Sequence, residues 1–191
     1  MRFAGTPRPP MPGGDLPPWW PELPDAKTVV VVTQGTLANE DRTALLEPAM
    51  RALADLDALV IVTTGGSGAP FAEVPDNVRV TTFVPFDLLL PRADVLVTNG
   101  GYGGVLKALS HGVPLIVAGD SEDKPAIALR VEWSGTGINL HTGHPTADAI
   151  RAAVIRVRDE PSFRDAAARL QSQLADLDPA DALEAAIAEL T

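Results

Sequence analysis

Short apolar runs alternate along most of the chain with stretches whose apolar positions recur at helical spacing. Val29-Val30-Val31-Val32 is unbroken and β-branched, the pattern of a strand covered on both faces. Runs of the same kind predict further strands at 58–63, 78–83, 95–98, 115–118 and 138–140. Helical spacing predicts helices at 41–55, 101–110, 124–134, 146–158, 162–176 and 180–190. Strand and helix in alternation imply an α/β fold, a Rossmann-like, doubly wound parallel sheet of about six strands. Ligands in that architecture sit outside the carboxyl ends of the strands, so the predicted strand ends are where chemistry is sought.

Residues 1–27 break the pattern. They hold eight of the 18 prolines, including Pro9-Pro10 and Pro17-Pro18. Fixed φ angles favour extended or polyproline II backbone there and resist helix. The expectation is a linker or surface arm over 1–27, anchored through Trp19 and Trp20 on one domain over 28–191. Composition narrows the class further. A formal charge of −10, from 25 acidic and 15 basic side chains, is a poor footprint for a nucleic-acid partner. No apolar run approaches the ~20 residues of a membrane span. The opening MRFAGTPRPP lacks the apolar core of a secretory signal. The chain has no cysteine, which excludes disulfides and thiolate metal sites and fits a cytoplasmic location. Its three histidines are scattered and suggest no metal-ligand set.

The stretch 98-TNGGYGGVLKALSHGVP-114 crowds four glycines into residues 99–104, between a predicted strand and a predicted helix. Unpaired N–H groups and the positive end of the dipole gather at a helix N-terminus, which makes an anion site. Glycines there let a phosphate reach the backbone. The same residues equally fit a tight strand-to-helix turn with no ligand, and they match neither GxGxxG nor a P-loop. Other strand ends add small polar groups. Gln34-Gly35-Thr36 offers a glycine and a hydroxyl for a second phosphate contact. Phe83-Val84-Pro85-Phe86 offers either a base-stacking face or a core aromatic. Ser121-Glu122-Asp123-Lys124 offers the donors and acceptors that a sugar requires, or else the acidic N-cap of a helix. Together they would hold base, diphosphate and sugar along one edge of a sheet. A dehydrogenase fits less well, because 29–36 lacks GxGxxG and no ribose-binding acid follows a second strand.

The stretch 83-FVPFDLLLPRADVLVTNGGYGGVLKALSHGVPLIVAGDSEDKPAIALRVEWSGTGI-138 resembles the donor signature of UDP-dependent GT-B glycosyltransferases, above all the bacterial macrolide-type branch. The resemblance extends over 29–190. It implies the nucleotide-sugar donor half of a GT-B fold, taking a UDP-sugar or TDP-sugar with no metal or other cofactor. The implied reaction is inverting transfer of a hexose to a hydroxyl of a small-molecule acceptor. By position, Phe83 would stack on the base, with the Val84 backbone beside it. Gly100, Gly101, Tyr102, Gly103 and Gly104 would form the helix mouth that cradles the diphosphate, faced by Gly35 and Thr36. Asn99 stands where the family usually has a diphosphate-binding His, and Lys107 where it has a ribose-binding Glu. Asp123 and Lys124 fall on an Asp-Gln pair that reads the donor sugar.

Three of these positions depart from the family pattern. Asn99 hydrogen-bonds a phosphate but cannot become a cation. Lys107 compensates in part if it turns toward the anion, yet it cannot accept a proton from a ribose hydroxyl. Lys124 donates without accepting, which points away from plain glucose. The donor half would stabilise charge growing on the leaving phosphate with preorganised amides and a helix dipole. The family's acceptor site and general-base His lie in an N-terminal domain, the expected partner of this one. Arg2-Phe3-Ala4-Gly5 resembles the junction just before the donor domain. His111 is expected to cap a helix C-terminus, and neither it nor His144 to be catalytic. Two other readings stay open: a natural half-enzyme that works with a separate acceptor-binding chain, and a non-catalytic nucleotide-sugar binding module. In the family the terminal helix crosses back to the N-terminal domain. The Ala- and Leu-rich stretch 162–190 would then either expose an apolar face and self-associate, or pack on its own sheet.

Overall fold

In the computed structural model, residues 16–25, 28–36, 41–66, 70–177 and 187–188 are described. Six strands form one sheet: β1 (Val29–Thr33), β2 (Leu59–Thr63), β3 (Val78–Thr81), β4 (Val95–Thr98), β5 (Leu115–Val117) and β6 (Gly137–Asn139). Their order is β3-β2-β1-β4-β5-β6, and every pairing is parallel. The order reverses between β1 and β4, where Val30 pairs with Val95 and Thr33 with Thr98. That junction is the topological switch point, and its carboxyl edge is where such sheets bind ligands.

Side chains on a strand alternate between faces, and here both faces are covered. Val29, Val31, Ile61, Leu96 and Leu115 join one core cluster. Val30, Val32, Val60, Val97 and Ile116 join the other. The first face is covered by α3 (Tyr102–Ser110), α4 (Lys124–Trp133) and α6 (Pro161–Ala175), the second by α1 (Leu46–Leu53) and α5 (Ala147–Asp159). Each buried aliphatic side chain contributes about 1.5–3 kcal/mol, so both faces demand apolar residues and the runs show no alternation. Local signals set the helix ends. Thr146 caps α5 by accepting from the Ala149 N–H, and Pro161 opens α6 at a position needing no donor. Gly112 and Gly135, both at positive φ, follow α3 and α4.

Several expectations change. Trp20–Asp25 is a 3-10 helix, not extended backbone. Trp19 and Leu23 are buried in the core, and the Arg79 guanidinium on β3 holds Glu22 at 2.6 Å. Burial of two apolar side chains four residues apart outweighs the prolines' preference for extension. Residues 1–15 lie outside the described residues. The helix expected at 41–55 begins only at Leu46. Asp41 Oδ1 accepts from the Thr43 N–H at 2.9 Å, a local turn that competes with helix. The strand expected to reach 83 stops at Thr81, whose hydroxyl donates to the Phe83 carbonyl. A short α2 (Phe86–Leu89) running into a 3-10 turn at Leu90–Arg92 was not foreseen. The helix expected at 180–190 lies almost wholly outside the described residues. Phe163, Ala166 and Ala167 of α6 are buried in the body of the domain.

Candidate functional site

Where β1, β2 and β4 end, their loops and the segment after β3 enclose a cavity of about 380 Å³. Phe83 lines it with Val84 and is 61% exposed, so the ring is not part of the core. Gly35, at φ +77, turns the loop after β1 so that it and Thr36 line the cavity too. Gly101, Gly103 and Gly104 complete the wall at the start of α3. A Cβ atom at Gly103 or Gly104 would meet nothing within 4 Å, so these glycines leave the mouth open. Gly100 serves the turn instead: its φ is +87 and a Cβ there would lie 2.6 Å from Val117 Cγ1. The alternatives left by the sequence thus divide between neighbouring residues. Gly101 is the N-cap of α3 and supplies no side-chain cap. The N–H groups of Tyr102, Gly103 and Gly104 therefore have no intrahelical acceptor.

A second cavity, of about 330 Å³, lies beside the first and includes Gln34, Gly119, Ser121 and Lys124 in its wall. Asn99 belongs to both walls. The residues expected along one edge of the sheet thus fall in the walls of two cavities that share Asn99. Asn99 Nδ2 donates to the Gln34 carbonyl at 2.6 Å, and its Oδ1 accepts from the Gly101 N–H at 3.3 Å. Asn99 thus braces two loops, with one amide hydrogen left for other partners. Lys124 is buried, and its ammonium donates to Ser121 Oγ and the Glu122 carboxylate, so its charge is already paired. Asp123, the N-cap residue of α4, is exposed, lines neither cavity and makes no side-chain cap bond. Tyr102 is 56% exposed and also lines neither.

Lys107 lines the larger cavity, but it does not point its charge at the open helix mouth. Its Nζ lies 2.6 Å from Asp87 Oδ1, and His111 Nε2 lies 3.2 Å from the same oxygen. Burial alone would raise the Asp87 carboxyl, but hydrogen bonds from Lys107 and His111 outweigh it and hold the pKa below the ordinary value. Asp87 was missed at sequence level. Its tie to Lys107 spans 20 positions and two helices, and no local pattern announces it. His111 ends α3, where its backbone N–H donates to the Ala108 carbonyl and that of Gly112 to the Leu109 carbonyl, and it lines neither cavity. His144 lies in the wall of the second cavity. Among the described residues no three His, Cys, Asp or Glu side chains converge as metal ligands. No helix among them is long and apolar enough to cross a membrane.

Comparison with known proteins places this edge in a family. The chain is 50% identical over 179 residues to 4'-demethylrebeccamycin synthase of Lentzea aerocolonigenes, covering 93% of this chain and 42% of the relative. It is 43% identical to UDP-glucosyltransferase B1 of Starmerella bombicola, covering 100% of this chain and 44% of that protein. The chain therefore spans less than half the length of these relatives. The crystal structure of the glycosyltransferase VinC in complex with DTDP superimposes with a TM-score of 0.71 at 32% identity, over 87% of this chain and 42% of that one. Residues 47–188 match the model of the erythromycin biosynthesis protein CIII-like C-terminal domain, a span that takes in the Phe83 loop, the glycine mouth and both cavity walls beyond β1. The chain belongs to the erythromycin biosynthesis protein CIII-like C-terminal domain family.

Proposed function

We propose that this chain is the donor-binding half of a glycosyltransferase that transfers a hexose from a nucleoside diphosphate sugar to a hydroxyl of a small-molecule acceptor. The observation that carries the reading is the larger cavity, with an exposed ring at Phe83 and bare amides at the mouth of α3. A base fits the ring and a diphosphate fits the amides. The relatives support the same class, since their names include glucosyltransferases using UDP and one solved neighbour holds DTDP.

In this reading an acceptor hydroxyl attacks the anomeric carbon, and the nucleoside diphosphate leaves with the bonding pair. Negative charge grows on the leaving phosphate while the N–H groups of Tyr102, Gly103 and Gly104 and the α3 dipole already point at it. In this reading the second cavity, which meets the first at Asn99, takes the sugar that continues from the diphosphate. Lys124 acts there as a paired donor held by Ser121 and Glu122. Acceptor binding and the general base belong to an N-terminal partner domain, in keeping with relatives more than twice as long as this chain. The working location is the cytoplasm, and no metal or other cofactor takes part.

Calorimetric titration of this chain with UDP, TDP, GDP and their sugars tests the reading. Binding of UDP or TDP that is lost on Gly104→Val substitution is expected. Flat titrations with every nucleotide, for this chain and for its parent protein alike, would refute it.

A further inference from the structure

The larger cavity has a direction. Phe83 lies four residues before Asp87, and Gly103 and Gly104 lie one helical turn before Lys107. The Asp87–Lys107 ion pair thus joins the segment that carries the ring to the helix that carries the bare amides. In a nucleoside diphosphate the group between base and phosphate is the pentose. Among the described residues Asp87 is the one acid lining this cavity.

The pair keeps unused hydrogen-bonding capacity. Both ion-pair contacts to Asp87 fall on Oδ1, and among the described residues no hydrogen bond to Oδ2 occurs. The Asp87 side chain is 32% exposed and that of Lys107 24%, so both remain reachable from the cavity. A carboxylate oxygen only accepts, and an ammonium group with spare hydrogens only donates. A ribose diol does both at once, with two hydroxyls side by side. A 2'-deoxyribose has lost one of them.

We propose that Asp87, positioned by Lys107, reads the ribose hydroxyls of the bound nucleotide and makes the cavity prefer ribonucleoside over 2'-deoxyribonucleoside diphosphates. This rests on the donor-binding reading and deepens it, because it selects UDP over TDP at the pentose. Rejection arises on both sides. A deoxyribose leaves a charged acceptor, already stripped of part of its water, without its hydroxyl, and a site built for a hydroxyl discriminates against its absence.

UDP and 2'-deoxy-UDP differ in this one hydroxyl and share base and phosphates. Calorimetry on the unaltered chain is expected to show UDP binding about tenfold tighter, the equivalent of one charge-assisted hydrogen bond. Asp87→Ala is expected to weaken UDP about tenfold and to leave 2'-deoxy-UDP within about twofold, so the preference disappears. Equal affinities in the unaltered chain would overturn the inference while leaving nucleotide binding intact, and that arm needs no variant. Equal losses for both nucleotides in Asp87→Ala would show a purely structural acid and would overturn it too. Failure of either nucleotide to bind at all would remove the donor-binding reading along with it.

Discussion

Asn99 ties the loop after β4 to the loop after β1, its amide nitrogen 2.6 Å from the carbonyl oxygen of Gln34. Asn99→Asp replaces that donor with an acceptor facing another acceptor. The variant is expected to lose about 1–3 kcal/mol of stability in urea titrations. It also sets a negative charge beside the mouth of α3, so UDP affinity should fall at least ~tenfold in calorimetry. Unchanged stability would show that the brace carries no weight.

The glycines of residues 99–104 should separate by substitution. Gly100→Ala forces a side chain into positive φ and against Val117, and is expected to cost about 1–3 kcal/mol or more. Gly104→Ala enters open space within a helix, where alanine is favoured by about 1 kcal/mol, so stability should hold or rise. Its added methyl narrows the cavity mouth, so UDP affinity should drop. Thermal unfolding and calorimetry on the two variants together test the division. A destabilised Gly104→Ala would contradict it.

Phe83 is exposed, so its removal should scarcely touch the fold. Phe83→Ala is expected to change stability by less than about 0.5 kcal/mol. Losing one stacked ring, at about 0.5–1.5 kcal/mol, should weaken UDP some three- to tenfold. Competition with uridine alone would localise that loss to the base.

Acid should weaken the domain through particular carboxylates. The Glu22 carboxyl is lowered chiefly by its hydrogen bond from Arg79. Burial opposes the shift at Asp87, but Lys107 and His111 lower it overall. A carboxyl with a folded pKa below its unfolded value of about 4 stabilises the fold above that value. The contribution is lost as pH falls through the lowered folded pKa. Urea midpoints should therefore hold from pH 7 to about 5 and fall below about 4, more gently in Asp87→Asn. Midpoints that ignore Asp87→Asn would detach this acid from the effect.

The sheet was readable because its signals are local. Val29 to Val32 and Val95 to Thr98 are contiguous apolar runs, and both emerged as strands with little change in bounds. The start of α1 was not readable, because it depends on Gln34 reaching twelve residues ahead to the Leu46 N–H. The candidate site divides in the same way. Phe83 and the glycines at the mouth of α3 stand at strand ends, and sequence order alone located them. The state of Asn99, Lys107 and Lys124 depends on Gln34, Asp87 and Glu122, which fold and rotamer bring to them. Residue type gave their capacity to donate or accept, and three-dimensional pairing decided how much of it was left.

At Gly119 a Cβ atom would sit 2.0 Å from the Asn99 carbonyl oxygen, so two backbones touch where the cavities meet. Such a seam has no room to drift. The walls on either side do, because Asp120 and Ser121 are reached from one loop and Thr36 and Phe83 from others. Variation in one compartment can therefore proceed without retuning the other. A lineage, or an engineer, can exchange the cargo while the handle stays the same.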